Sequence, residues 1–540
     1  MKLHVSVKWI SILLAVILVV TSGGFMSTVQ RPPLELQILA INDFHGQLDP
    51  GRTLGGAEYL ATLVKQERAK TPNTVFIGAG DLIGASPLLS ALFHDEPTIQ
   101  AMDLMGMDFA TVGNHEFDEG WQELLRIQRG GCHPVDGCLA GEYDGAQFPY
   151  LAANVIKTKN GRGILPPFKV VTVQGVRIGF IGVGLESTPE IVTPTGVEGL
   201  KFLDEAETVN KYVAKLKRQN VRNIVVILHD GGYKTGDQNS CTDFNGSVVD
   251  VINAMDPEVD VVLTGHTHQA YTCNIGGKVV TSAGSAGSYL TDINISMDRR
   301  TGKVVDLTMQ NIPVTRDIAK DADMTALLEK YRALTAPLAN RVVGSVTANI
   351  TRTANAAGES ALGDVIADAQ LANTAPAAYG GAVMAFMNPG GIRADITYAQ
   401  SGTEGDGNLT YGEVFAVQPF ANNLVTMTLT GDQIKTLLET QFTVNRMLQV
   451  SQGFSYTWNQ SAAVGNKVTA MLLNGVPIEP TSSYRVTVNS FLAAGGDGFT
   501  VLASGTDRLT GVIDLDAFIQ YIEANSPVAP GPQDRIVVLP

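Results

Sequence analysis

The sequence has no basic cluster and no basic stripe interleaved with aromatics. Its 38 Lys and Arg are outnumbered by 53 Asp and Glu, for a net charge of −15 with the acidic excess spread along the chain. A polyanion is held by a concentrated basic footprint, so no nucleic-acid polymer is expected as a partner. There is no internal repeat, which excludes a solenoid or propeller of tandem units. Low-complexity sequence is confined to AAGES and SGTEGDGN, both loop compositions. The apolar run Trp9–Val20 is too short for a membrane span, which takes about 20 residues. No cysteine follows that run, so a lipoprotein anchor is not indicated. Histidine is scarce as well, at eight residues in 540, which makes its placement informative.

The remaining composition is globular, with 44% hydrophobic residues, 17% charged residues and 56 Gly. Such a length exceeds one ordinary core and predicts about two to four domains. Lys2 and Lys8, the apolar run and then Thr21, Ser22, Gly23 and Gly24 form a secretory pattern, read as a signal peptide over 1–28. An uncleaved anchor is the alternative. The expected location is secreted, periplasmic or cell-surface, with no membrane span after signal removal. Four cysteines fit an exported chain. Cys132 and Cys138 bracket a short loop and are expected to pair, leaving Cys241 with Cys273, although four cysteines allow three connectivities. A structural zinc site on Cys132, His133 and Cys138 is the rival reading.

The first half alternates. Strands are predicted near 35–42, 74–79, 109–113, 169–183, 222–229 and 259–265, and helices near 56–70, 86–106, 117–128 and 204–219. Alternation argues an α/β layer architecture with helices on the sheet faces. Residues 274–313 read as β-rich and complete a first domain over 34–315. A linker helix is predicted within 316–341, acidic at its start and basic at its end, as the helix dipole favours. A second α/β domain follows over 342–535. It has a strand near 342–350, a helix at 360–373, strands near 383–387, 423–429, 468–473 and 484–490, and a final helix near 514–524.

Five strands end in metal-ligand residues: LQILAINDFHG, TVFIGAGD, FATVGNHEFD, NIVVILHDGG and DVVLTGHTH. They deliver Asp43 and His45, Asp81, Asn114 and His115, His229, and His266 and His268. A lone Asp at a strand end is ordinarily a turn or cap residue, and a lone His is ordinarily structural; His4 and His94 are read that way. Co-occurrence in strand context reverses those odds and gives the inventory of a two-metal hydrolase site.

Two divalent cations about 3.5–4 Å apart, with a bridging hydroxide, supply both a nucleophile and charge neutralisation on phosphorus. Asp81 is the expected bridging carboxylate. Asp43 with His45, and His266 with His268, are expected to face one way along extended segments, because residues two apart share a face. Asn114 adds a neutral amide oxygen. Mixed nitrogen and oxygen ligands suit zinc, manganese or similar ions better than calcium. His115 follows Asn114 directly and points the other way on a strand, so it is read as an acid outside the ligand set. Asp118 lies within reach to orient it if GNHEFD opens a helix.

These patches resemble the metallophosphoesterase signature D-x-H, G-D, G-N-H-[ED], H and G-H-x-H. Over about residues 34–535 the chain resembles, more narrowly, the secreted bacterial 5′-nucleotidase and UDP-sugar hydrolase family. The resemblance implies a calcineurin-like four-layer αββα sandwich, a linker helix and a C-terminal 5′-nucleotidase domain. It implies one cation at Asp43, His45, Asp81 and His268, a second at Asp81, Asn114, His229 and His266, and a catalytic dyad of His115 and Asp118. In the second half, NPGGIR matches a family motif, giving Asn388, Gly390, Gly391 and Arg393, the last able to fork onto a phosphate. QPFANN and NSFLAAGGDGF imply Phe420 and Phe491 as base-stacking rings, Asn422 to read base edges and Asp497 to accept ribose hydroxyls. The chain departs from the family at TRTANAAGESALGD. Arg352 is early for a second phosphate-binding arginine there, and Glu359 is read as a helix-start acid.

The implied activity is hydrolysis of nucleoside 5′-phosphates to nucleoside and phosphate, with a nucleotide as the substrate partner. A 2′,3′-cyclic phosphodiesterase with 3′-nucleotidase activity, a UDP-sugar hydrolase, and a nucleoside-binding surface protein with little catalysis are the alternatives.

Overall fold

The structure is a computed structural model that describes residues 32–51 and 53–540. The expected signal segment lies outside those residues. The first module contains two six-stranded sheets. One runs, edge to edge, Val304–Pro313, Tyr289–Met297, Leu34–Ile41, Thr74–Ala79, Phe109–Thr111 and Tyr150–Leu151. The other runs Ala270–Ile275, Lys278–Ala283, Val259–Leu263, Asn223–Leu228, Val176–Val183 and Phe168–Val173. The ligand-bearing strands pair in parallel with one another. Parallel strands are buried on both faces, which is why they read as unbroken apolar runs.

Alternation along each strand builds the layers. Leu36, Ile38, Val75 and Phe109 point between the sheets and meet Phe180, Val225, Ile227 and Val261. Leu39 and Phe76 point outward onto helices Ala57–Arg68 and Glu96–Met105. Ile181, Val226 and Val262 point outward onto Glu205–Arg218 and Val248–Ala254. The result is helix, sheet, sheet, helix.

The helix expected within 316–341 runs Ala322–Ala339, with Asp321 accepting from the Met324 amide at its start. It is packed on the first module: Met324, Leu328 and Tyr331 enter that module's core, with Tyr331 edge-on to Phe93 at 4.9 Å. The second module has a five-stranded sheet, Gln449–Val450, Met384–Met387, Ser483–Asn489, Asn423–Thr430 and Thr506–Ile513, and a four-stranded sheet. Phe386, Met427 and Val486 of the first sheet share a core with Phe454 and Tyr456 of the second and with helix Gly431–Thr443. Helices Ala361–Thr374 and Asp514–Asn525 cover the other side through Leu362, Ile366, Leu515 and Phe518.

Several predicted elements differ. The helix expected over 86–106 is two, Leu88–Ala91 and Glu96–Met105, because His94 and Asp95 adopt left-handed backbone (φ 52° and 62°) between them. The strand expected over 169–183 is a hairpin turning at Gln174 and Gly175, both at positive φ as a tight hairpin turn requires. The helix expected near 117–128 begins at Trp121, after a separate 3₁₀ turn at His115–Phe117. The strand expected near 342–350 spans only Val342–Ser345. Cys132 pairs with Cys138 and Cys241 with Cys273, so the rival zinc reading at Cys132 loses its thiolates.

Candidate metal centre and substrate cavity

Asp43 and His45 follow Leu34–Ile41, Asp81 follows Thr74–Ala79, and Asn114 follows Phe109–Thr111. His229 follows Asn223–Leu228, and His266 and His268 follow Val259–Leu263. These are carboxyl ends of parallel strands, where open α/β sheets leave a crevice. The extended Asp-x-His geometry expected from alternation is not what brings the pairs together. Asp43, His45, Asp81, His266 and His268 all have φ between 48° and 69°. That left-handed backbone costs a non-glycine residue on the order of 1 kcal/mol or more, so the surroundings must hold it in place. Asn114 is likewise not on a strand; its helical backbone (φ −75°, ψ −36°) leads the 3₁₀ turn, which sets Asp118 Oδ2 2.7 Å from His115 Nδ1.

The side chains converge. His229 Nε2 lies 3.0 Å from Asp81 Oδ2, His266 Nδ1 3.0 Å from Asn114 Oδ1, and His268 Nε2 3.5 Å from Asp43 Oδ1. Ligand atoms of Asp43, His45 and His268 lie within 4.8 Å of one another, as do those of Asp81, His229 and His266. Asp81 adjoins both groups, with Oδ2 also 3.9 Å from His45 Nε2.

These residues fit divalent cations. His45 Nδ1 donates to Gly84 O and His229 Nδ1 donates to Ala79 O, each at 2.9 Å. A carbonyl only accepts, so the protons sit on Nδ1 and each bare Nε2 points inward. His45 Nε2 then faces His268 Nε2 at 3.1 Å. His229 Nε2 is buried with no hydrogen-bond partner, because its contact with Asp81 Oδ2 is misaligned for one. A buried imidazole nitrogen left without a proton beside carboxylates is a ready ligand for a cation.

Proton affinities show the same deficit of positive charge. Burial opposes charging His229, yet Asp81 outweighs it and lifts the group to about 10, so that without a cation a proton takes Nε2 beside Asp81. Burial raises Asp43 to about 7. Burial, reinforced by neighbouring cationic groups, lowers His266 to about 3 and His268 to about 4, leaving both imidazoles neutral and able to ligate. Burial also opposes charge on His115, but Asp118 and Asp81 outweigh it and raise its affinity.

Two supporting residues escaped the sequence reading. Glu116 is buried and accepts from the amides of Asp81 (3.0 Å), Leu82 (2.9 Å) and Gly113 (2.5 Å), locking two ligand loops together. Its only signal is its place inside GNHEFD. Asn42 donates to Asp43 Oδ2 at 2.6 Å and accepts from Ala283 N at 2.6 Å, fixing that carboxylate.

A cavity of about 330 Å³ opens from this cluster toward the second module. Asp81, Asn114, His115, Asp118, His266 and His268 line one end, and Asn388, Gly391, Arg393, Phe420, Asn422, Phe491 and Asp497 line the rest. Asp43, His45 and His229 lie buried behind its wall. Phe420 sits 5.8 Å from His115, near-parallel at 16°, and Arg393 lies 5.7 Å from the Phe420 ring. Asn388 Nδ2 donates to Asp497 Oδ2 at 2.9 Å, and Arg446 Nε lies 3.3 Å from Asp497 Oδ1. Arg446, Asn489 and Tyr233 also line the cavity and carry no sequence motif. Arg352 donates to Ile392 O at 3.1 Å and is not among the residues lining the cavity, while burial, with a smaller push from Arg352, lowers the proton affinity of Arg393. Glu359 is not a helix-start acid. It is buried and accepts from the amides of Arg535 (3.0 Å) and Ile536 (3.1 Å), pinning the last strand, while Ser360 caps the helix.

Imidazoles and carboxylates converging at the ends of the parallel strands of two stacked mixed sheets are the arrangement of a metal-dependent phosphoesterase. Comparison with known proteins makes this specific. Residues 36–270 match the calcineurin-like phosphoesterase family, and residues 342–504 match the 5′-nucleotidase C-terminal domain. A cell wall protein of Listeria monocytogenes is 35% identical over 93% of this chain and 68% of its own length. An endonuclease of Bacillus subtilis is 32% identical over 95% of this chain; the chain spans only 42% of that relative. A solved 5′-nucleotidase precursor from Thermus thermophilus superposes with a TM-score of 0.77 at 28% identity, covering 94% of this chain and 99% of that one. The chain belongs to the 5′-nucleotidase family of metal-dependent phosphoesterases.

Proposed function

We propose that this protein is an exported nucleotidase that holds two divalent cations and hydrolyses nucleoside 5′-phosphates to nucleoside and phosphate. The observation that most supports this reading is one cavity lined both by donor side chains for cations and by two phenylalanines with a carboxylate. A nucleotide carries the matching groups: a phosphate, a flat base and a diol.

The residue roles follow from position. Asp43, His45, Asp81 and His268 hold one cation, and Asp81, Asn114, His229 and His266 the other, with Asp81 shared. When bound, the two cations supply charge neutralisation on the phosphoryl group and acidification of the attacking water. Arg393 forks onto the phosphoryl oxygens, a charge-assisted contact. Phe420 and Phe491 offer faces to the base, Asn422 offers an amide to its edge, and Asp497 accepts from the ribose hydroxyls. Asn388 and Arg446 orient Asp497. His115, with Nδ1 engaged by Asp118, presents its other nitrogen to the phosphoryl group. There it donates a proton to an oxygen on which charge develops in the transition state. Export is supported by the 1–28 pattern, by two disulfides and by the cell-wall description of the Listeria relative.

A turnover panel tests the reading: AMP, 3′-AMP, 2′,3′-cyclic AMP, ATP and UDP-glucose, with a single-stranded oligonucleotide because one relative is named an endonuclease. Fastest turnover of AMP is expected. Rapid turnover confined to the cyclic and 3′ substrates, or to the oligonucleotide, would replace it.

A further inference from the structure

Among the described residues, two side chains of permanent positive charge line the cavity, Arg393 and Arg446. They stand in different places. Arg393 lies 5.7 Å from the Phe420 ring, which lies alongside His115. Arg446 is paired with the carboxylate assigned to the ribose, its Nε 3.3 Å from Asp497 Oδ1. Its backbone is set there by Asn445, which turns the chain at φ 54° after helix Gly431–Thr443, and by its own amide, which donates to Gln441 O at 3.0 Å.

Asp497 is already held without this arginine. Asn388 Nδ2 donates to Asp497 Oδ2 at 2.9 Å and Asn489 Nδ2 donates to Asn388 Oδ1 at 3.0 Å, with all three residues buried. Stability does not call for it either. The Arg446 side chain is 39% exposed, and a pair so exposed contributes little, because water screens it and ordering a long side chain costs entropy. Nε faces the carboxylate, which leaves the N–H groups of Nη1 and Nη2 for a ligand. They face open space over Gly390, where a Cβ would lie 3.5 Å from Arg446 Nη1, 3.6 Å from Asn388 Nδ2 and 3.7 Å from Asp497 Oδ2.

We propose that Arg446 is a specificity-determining residue that receives a second phosphate, so that the substrate class extends to nucleoside 5′-phosphates with a further phosphate on the 2′ or 3′ oxygen. On the nucleotidase reading, on which this rests, the 5′-phosphoryl group lies at the cation cluster and the ribose hydroxyls donate to Asp497. A phosphate in place of one hydroxyl brings a second negative group to that carboxylate. Asp497 alone would repel it. The Arg446 guanidinium offsets the repulsion and forks onto the phosphate oxygens, as arginine does with planar geometry and fixed charge. The second Nδ2 hydrogen of Asn388 is free to join it, and Asp497 keeps the remaining hydroxyl. Water attacks the 5′ phosphorus, the P–O5′ bond breaks and O5′ takes a proton. The products are inorganic phosphate and a nucleoside that retains its 2′- or 3′-phosphate.

Steady-state hydrolysis by the full chain, supplied with manganese or zinc, tests this on AMP, adenosine 3′,5′-bisphosphate and adenosine 2′,5′-bisphosphate. For wild type, kcat/KM for at least one bisphosphate is expected to equal or exceed that for AMP, with release of the 5′-phosphate. Arg446→Gln is expected to lower kcat/KM for AMP, because Asp497 loses a partner, and to lower it for that bisphosphate by roughly tenfold more, the size of a lost charge-assisted contact. The ratio of the two values within one variant does not depend on how much of it folds. Arg446→Lys keeps the charge and is expected to recover part of the ratio. An excess loss on one isomer alone places the contact at that oxygen. Equal losses on all three substrates, or removal of the 2′- or 3′-phosphate in place of the 5′-phosphate, would overturn this role of Arg446 while AMP turnover still upheld the nucleotidase reading. Absence of AMP turnover by wild type would overturn both.

Discussion

His115 is held from three sides. Asp118 engages its Nδ1, its backbone amide donates to Asp81 Oδ1 at 2.9 Å, and the Phe420 ring of the other module lies alongside. In the proposed mechanism it acts on the transition state, although its ligand atom also lies within 4.8 Å of those of His45 and Asp81. His115→Ala is therefore expected to lower kcat by roughly 10²–10⁴-fold, the range for a lost general acid, with cation content unchanged by metal analysis. Loss of both cations along with activity would reassign it as a ligand.

Asp514 carries a different lesson. It is buried at the start of the last helix, and burial raises it to about 7. The folded state thus holds this proton more tightly than the unfolded chain does. The stability it contributes is full below about pH 4, the ordinary aspartate range, and is lost as pH rises through about 7. Asp514→Asn is expected to match wild type near pH 4 and to exceed it above pH 7, by at most about 4 kcal/mol. Urea unfolding across that pH range measures the difference, and a constant gap would refute the account.

At the scale of elements, the strand-end loops depend on room as well as on ligands. A Cβ on Gly113 would meet Asp81 Oδ1 at 2.1 Å and the Asp81 backbone nitrogen at 2.7 Å, and backbone cannot swing aside. Gly113→Ala should cost roughly 1–3 kcal/mol and weaken cation binding together with stability, read by denaturant titration with and without metal. The hairpin Tyr233–Thr235 with Thr242–Asn245 brings Tyr233 to the cavity, and Cys241–Cys273 fastens it to the strand Ala270–Ile275. Closing a loop of 32 residues is worth about 3–4 kcal/mol. Replacing both cysteines with serine should lower stability by up to that amount.

Elements with strong periodicity were legible: Leu34–Ile41, Thr74–Ala79, Asn423–Thr430, Glu205–Arg218 and Asp514–Asn525 all lie within a residue or two of expectation. The helix over 86–106 was misread because its apolar pattern continues across His94 and Asp95, while the break is a backbone event at two residues that commonly tolerate left-handed φ.

For the molecule as a whole, the cavity is lined by both modules, whereas all seven candidate cation ligands follow strands of the first, so bound cations would stabilise that module. A chelator should lower the unfolding temperature, and excess zinc or manganese should restore it. A cation at a hundred times its Kd adds about 2.7 kcal/mol per site. Melting curves unchanged by chelation would contradict bound divalent ions in the native state.

The sequence by itself determined the inventory of candidate ligands, its order and its position at strand ends. Those properties are local: an apolar run sets the strand, and the next polar residue sits at its mouth. Tertiary structure alone decided the left-handed turns that aim Asp43, His45, Asp81, His266 and His268 inward, the burial of Glu359 against the last strand, and the pairing of Arg446 with Asp497 across the cavity. It also decided that His94 meets His133. Each of these depends on contacts between residues far apart in the chain, and no local pattern of composition or period records such a contact.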